Sequence, residues 1–204
     1  MPFIDLIVNR SSKLFILTLS VLILGISGCD QKPKFNNVDI SGSTAFSTNF
    51  SLPDHQGKMR SLSDFKGKVP VIFFGYTQCP DVCPSTMIEM QAVIELLGGQ
   101  AKDIQVIFIT VDPDRDTQEI LAQYVPGFDP SFIGLRPQSQ DELKALTKGF
   151  KVYYQKIPGK NPNSYTMDHT AGSYVFDRLG NIRLFVKHGQ GGQALADDLK
   201  ILLN

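Results

Sequence analysis

Two long apolar runs organise this chain. Residues 69–76, with Val69, Val71, Ile72, Phe73 and Phe74, and residues 104–111, with Ile104, Val106, Ile107, Phe108 and Ile109, are nearly continuous in apolar side chains. Such runs predict strands buried on both faces. Between them Met87, Met90, Val93, Ile94 and Leu97 recur at helical spacing. Pro84 suits the first turn of that helix, and Gly98-Gly99 its end. Downstream, short helices are predicted near 118–124 and over 141–150, and a strand over 152–154. Strands at 173–176 and 182–186 flank the turn residues Asp177 to Asn181, and 194–203 closes the chain as an amphipathic helix. Upstream, 50–52 and 59–62 flank the turn-rich Pro53 to Lys58, a hairpin signal. This order of elements predicts an α/β domain of three layers, α/β/α, with an N-terminal hairpin and a central mixed sheet.

The ends of the pattern divide the 204 residues further. Arg10 and Lys13 precede an apolar run over 14–26, which closes on Ile26-Ser27-Gly28-Cys29. That run is short for a bilayer span, which needs about 20 residues. With small residues before a cut site it reads as a secretory signal. A cysteine directly after them resembles the bacterial lipoprotein signal. Residues 1–28 are therefore expected to be a lipoprotein signal peptide, with Cys29 lipidated. Residues 29–48, polar and patternless, are expected to be a flexible tether, and 49–204 the folded domain. The expected address is the periplasmic face of the bacterial inner membrane, in keeping with Asp30 after the lipidated cysteine. Charge adds an exclusion: 20 basic and 20 acidic residues balance, and no Lys/Arg cluster interleaves with aromatics, so nucleic acid is not an expected partner.

Three cysteines is an odd count. Assigning Cys29 to lipid leaves Cys79-Pro80-Asp81-Val82-Cys83, at the passage from the first buried strand to the first helix, in a compartment where disulfides persist. Residues i and i+4 share one helix face, so both sulfurs are expected to converge in the first helical turn. There a helix N-terminus favours thiolate, which serves both disulfide exchange and metal binding. A redox pair at the end of the first central strand narrows the fold to a thioredoxin-like domain. Thioredoxin-type domains carry a proline just before the strand facing the pair. The corresponding stretch here is Met167-Asp168-His169-Thr170, which sets an imidazole where that proline would stand. Two thiolates and one imidazole make a three-donor set. Structural zinc usually takes four protein ligands, whereas soft thiolates select Cu(I) and imidazole suits copper. Copper, as Cu(I) and Cu(II), is the expected metal.

Three motifs in order, Phe74 to Pro84, Val111 to Thr117 and Asp168 to Ser173, resemble the Sco/SenC family. These are membrane-tethered, thioredoxin-like copper proteins that help assemble the dinuclear copper centre of cytochrome c oxidase. The resemblance implies Cys79, Cys83 and His169 as copper ligands and Asp112 as support around them. Gln78 stands where many relatives have histidine. It further implies a copper-receiving oxidase subunit, an upstream copper donor and a thiol reductant as partners. Two functions stay open: a copper-delivering assembly factor, and a thiol–disulfide oxidoreductase that reduces the acceptor's cysteines. A peroxidase-like activity is a third and weaker reading. His55 and His188 are expected to be exposed loop residues. Asp112, Asp114 and Asp116 are expected in a solvated turn with helix N-cap character, and Lys187 to Gly192 lacks a phosphate-binding pattern.

Overall fold

The central sheet grows outward from the two apolar runs. In the computed structural model, which describes residues 33–161 and 164–204, β4 (Val69–Gly75) and β5 (Ile104–Thr110) are buried along their whole length. They pair in parallel, Val69 opposite Ile104 through Gly75 opposite Thr110. The connection between them is the helix α1 (Val82–Leu97), as a parallel pair requires. The short β6 (Ile133–Leu135) adds in parallel beside β5. On the other side β9 (Gly172–Phe176) runs antiparallel to β4, and β10 (Ile182–Lys187) antiparallel to β9. With β1 (Val38–Asp39) at the edge, the strand order is β1-β10-β9-β4-β5-β6. The helices α2 (Gln118–Tyr124), α3 (Gln140–Phe150) and α4 (Gly192–Leu203) complete the thioredoxin-like α/β architecture. Ring contacts knit α3 to the sheet, with Phe150 5.0 Å from Phe74 and 5.3 Å from Tyr174 between centroids.

Two further pairs of strands stand outside this sheet. The first, β2 (Ser51–Pro53) with β3 (Met59–Ser61), is the N-terminal hairpin. Its turn is closed by Asp54, whose carboxylate accepts from the Gln56 and Lys58 amides and from Arg60 Nε. His55 is not the exposed loop residue expected. It is buried, donates its amide to the Gly134 carbonyl at 2.8 Å, and accepts the Gly134 N–H on Nδ1 at 3.0 Å. The second pair is β7 (Tyr154–Pro158) with β8 (Tyr165–His169), and it carries the histidine of interest.

The expected tether is also corrected. The compact unit begins at Phe35, not near residue 49. β1 (Val38–Asp39) pairs with β10. The buried Asp198 carboxylate accepts the Asn36 and Asn37 amides at 2.8 and 2.9 Å and both Asn side chains at 3.1 and 2.8 Å. A polar stretch without apolar periodicity is thus held by a carboxylate some 160 positions away, where buried charge demands full hydrogen bonding. The predicted signal peptide 1–28 and the lipidation site Cys29 lie outside the described residues. No helix among the described residues is long and apolar enough to cross a membrane.

Candidate metal centre

The thiol half of the site rises from the end of β4. After Gly75 the chain leaves the sheet through Tyr76 and turns, with the Cys79 amide donating to the Tyr76 carbonyl at 3.3 Å. Cys79 precedes α1 and Cys83 is its second residue, so the pair is not within one helical turn as expected. The sulfur of Cys79 instead accepts the Cys83 amide at 3.4 Å, taking the place of a capping side chain at a helix start that has none. Cys79 is half-buried, and Cys83 is fully buried. Gly75 makes that burial possible: a Cβ there would stand 3.0 Å from Cys83 Sγ and within 2.9 Å of the Phe73 and Phe108 rings.

Burial pushes the Cys83 thiol up, opposite to the shift expected from the helix N-terminus. Desolvation outweighs the dipole for a sulfur closed in by apolar neighbours. A soft cation that binds Cys83 displaces its proton.

His169 ends β8 and supplies the imidazole half. Its Nδ1 lies 3.1 Å from the Thr170 carbonyl oxygen, which as an acceptor assigns the ring proton to Nδ1. Nε2 is left with its lone pair and faces Cys83 Sγ at 3.5 Å. Phe73 and Tyr76 meet the ring edge-on at 6.2 and 6.0 Å. Burial holds the imidazole below its ordinary pKa, keeping it neutral and able to coordinate. Cys79 Sγ, Cys83 Sγ and a ring nitrogen of His169 lie within 4.8 Å of one another, a group that could hold a metal ion. All three ligands expected from sequence come together. Two soft sulfurs and one borderline nitrogen suit copper better than a hard cation.

Asp112 is the residue expected to support the three donors. It bonds none of the three donors. Its carboxylate takes Arg115 Nε and, at 2.9 Å, the Tyr165 hydroxyl. The carboxylate behind the thiols is Asp116, which is fully buried rather than solvated. It accepts the Thr77 amide at 3.1 Å, the Thr77 hydroxyl at 2.6 Å and the Thr110 hydroxyl at 2.6 Å. Burial raises the pKa of Asp116 against those bonds, which favour its ionised form. The N-cap of α2 is Thr117, not one of the aspartates. Arg115 also bonds the Gln78 side-chain oxygen at 3.0 Å and the Tyr165 carbonyl at 3.0 Å. The alternating Asp112, Asp114 and Asp116 carried a sequence signal, but their roles depended on partners far along the chain. His188, exposed as expected, meets the Thr86 hydroxyl at 3.1 Å.

A thioredoxin-like domain with two thiols at the first helix and an opposed imidazole is the class of protein defined by this geometry. The chain belongs to the SCO1/SenC family, whose model matches residues 38–204. A SCO2-like protein of Rickettsia felis is 36% identical over 154 residues, 75% of this chain and 70% of that protein. Bradyrhizobium japonicum ScoI, solved with copper bound, is 39% identical and superposes with a TM-score of 0.71, covering 78% of this chain and all of that one. Yeast Sco1 with copper bound is 28% identical, with a TM-score of 0.70, over 77% of this chain and 87% of that one. BsSco, in which a disulfide switch was identified, belongs to the Sco family of cytochrome c oxidase assembly proteins. It shares the fold at 22% identity, with a TM-score of 0.63, over 85% of this chain and 99% of that one.

Proposed function

We propose that this protein binds copper through Cys79, Cys83 and His169 and delivers it to, or prepares, the dinuclear copper site of cytochrome c oxidase. The observation that carries this reading is the convergence of two sulfurs and a ring nitrogen within 4.8 Å. Neutral His169 and the two cysteines supply three donors, and loading releases the thiol protons. Half-buried Cys79 is the ligand an acceptor thiolate reaches first, so release proceeds by ligand exchange from that side. A lipid on Cys29, behind the signal segment 1–28, would hold the domain at the periplasmic face of the inner membrane. An upstream copper donor and a thiol reductant complete the cycle.

The same cysteines support a second reading, thiol–disulfide exchange with the acceptor. Cys79 is accessible and Cys83 is buried directly behind it, the order of an attacking and a resolving thiol. Oxidation of the pair to a disulfide gives up two electrons and two protons to the partner disulfide, which becomes a dithiol. It also removes both sulfur donors, so copper loading requires the reduced pair.

His169→Ala separates the two. In an anaerobic Cu(I) titration of the reduced protein, affinity is expected to fall by more than about a hundredfold, beyond the loss typical of an outer-shell change. The disulfide midpoint potential is expected to move little. A variant that keeps the parent's copper affinity would sink the three-ligand site.

A further inference from the structure

Among the described residues, the hairpin that carries His169 pairs with no strand of the central sheet; β7 and β8 form a sheet of their own. At the His169 end, one more rung closes the hairpin's own ladder at its base, beyond the Tyr154–His169 pair. The Thr170 amide donates to the Tyr153 carbonyl, and the Tyr153 amide to the Thr170 hydroxyl, each at 3.0 Å. At the other end of β8 stands Tyr165. The Arg115 guanidinium carbon lies 3.6 Å from its ring centroid, and Lys156 Nζ lies 3.7 Å from the same centroid. Two cations that close to one centroid cannot share a face, so Arg115 and Lys156 clasp opposite faces of the ring. The Tyr165 hydroxyl donates to Asp112 at 2.9 Å, and Arg115 donates to the Tyr165 carbonyl at 3.0 Å. Arg115 is therefore attached to Tyr165 through both its ring and its backbone.

The same guanidinium group reaches the other half of the site, where Nη1 bonds Gln78 Oε1 at 3.0 Å, one residue before Cys79. Its Nε is tied to Asp112, at the end of the second central strand. One side chain thus links the thiol turn, the central sheet and the histidine hairpin. Cation–π contacts and charge-assisted hydrogen bonds of this kind gain strength where water is excluded, and Arg115 is largely buried, with side-chain exposure of 20%.

We propose that Arg115 and Tyr165 form a latch that holds the β7–β8 hairpin, and with it His169, over the two thiols. They are positioning residues: neither lies among the three donors, and both act through where the imidazole stands. With the latch open, the hairpin pivots on its Tyr153–Thr170 root and the site is left with two sulfurs. The latch thereby sets how readily the third ligand lets go. Its meaning for copper rests on the function proposed above, but its mechanical part does not.

The test uses the reduced, copper-free protein. Amide hydrogen exchange is followed across Tyr154–Pro158 and Tyr165–His169 in the parent, Arg115→Ala, Tyr165→Ala and Tyr165→Phe. Arg115→Ala and Tyr165→Ala are expected to speed hairpin exchange about tenfold while β4 and β5 stay protected. Tyr165→Phe, which keeps the ring between its cations, is expected to show a smaller rise. Unchanged hairpin exchange in folded Arg115→Ala overturns the latch. Equal acceleration throughout the central sheet overturns it too, because Arg115 would then be a general stabiliser. In parallel, copper dissociation to a competing chelator is expected to quicken about tenfold in both Ala variants, with the disulfide midpoint potential unchanged. A parent that takes up no copper defeats the proposed function and leaves the latch to be judged by exchange alone.

Discussion

The two halves of the metal centre are built differently. Cys79 and Cys83 hang from the end of β4, a strand buried along its whole length and paired on both sides. Thr77, just before them, is fastened to the buried Asp116. Among the described residues, His169 ends a strand whose ladder partner is its own hairpin mate. The thiol half is thus over-determined by the core, and the imidazole half is held by a few identifiable side chains. A site with one fixed and one hinged half can offer two ligands permanently and the third conditionally. That is suited to cargo that must be both held and released.

Removing the support of the fixed half should have the largest effect. Asp116→Ala strands three donors, the Thr77 amide and the hydroxyls of Thr77 and Thr110. It is expected to cost about 3 kcal/mol of global stability, since buried donors lose their acceptor. Urea unfolding measures this, and a loss confined to the β7–β8 hairpin would invert the comparison. Asp116→Asn probes the charge separately. The folded pKa of Asp116 is raised, so between the unfolded value of about 3.9 and the folded one the native state binds more protons. This group's stabilising contribution is complete below that window and is lost as pH rises through it. Asn carries no such proton. The stability of Asp116→Asn relative to the parent should therefore improve from acid to neutral pH, and a decline over that range would contradict a raised pKa.

Gly75→Ala comes next. The added methyl meets Cys83 Sγ and the Phe73 and Phe108 rings at 2.8 to 3.0 Å. Overpacking of this kind costs about 2 kcal/mol. It is also expected to push Cys83 toward solvent, read as faster alkylation of the reduced thiol. Cys83 that stays as slow to react as in the parent would show that the core yields elsewhere.

The same asymmetry governs what the sequence discloses. The apolar runs of β4 and β5, the helical spacing of Met87, Met90, Val93 and Leu97, and the cysteines at the junction are local signals, and the structure follows them closely. The hairpin bearing His169 has little such signal. Most of Tyr154–Pro158 faces solvent and shows no alternation, whereas Tyr165–His169 alternates, with Tyr165, Met167 and His169 half-buried and Thr166 and Asp168 exposed, but over only five residues and with a single aliphatic side chain, Met167. The expected strand at 152–154 meets β7 only at Tyr154, and the sequence predicts no separate strand at 165–169. His169 was found through its place in a fold pattern, not through its surroundings. Asp198, His55 and Asp116 escaped for a related reason: each is buried by hydrogen bonds to residues distant in sequence. A single acidic or imidazole side chain among polar neighbours gives no local sign of such a partner.

The smallest effect should be the most selective. Thr170→Val keeps the branched side chain at the hairpin root but removes the hydroxyl that accepts the Tyr153 amide. One such hydrogen bond is worth about 1 kcal/mol. If the imidazole half is hinged, that loss belongs to local opening: exchange at Tyr154–Pro158 rises while the urea midpoint stays within error of the parent's. The Tyr165 latch and the Thr170 root would then act on the same opening from opposite ends of β8. Combining Thr170→Val with Tyr165→Ala should accelerate hairpin exchange by about the product of the single effects, since the two contacts lie at opposite ends of β8 and share no partner. A fall in the global midpoint like that of Asp116→Ala would mean that His169 is carried by the core after all, and the distinction between a fixed and a hinged half would collapse.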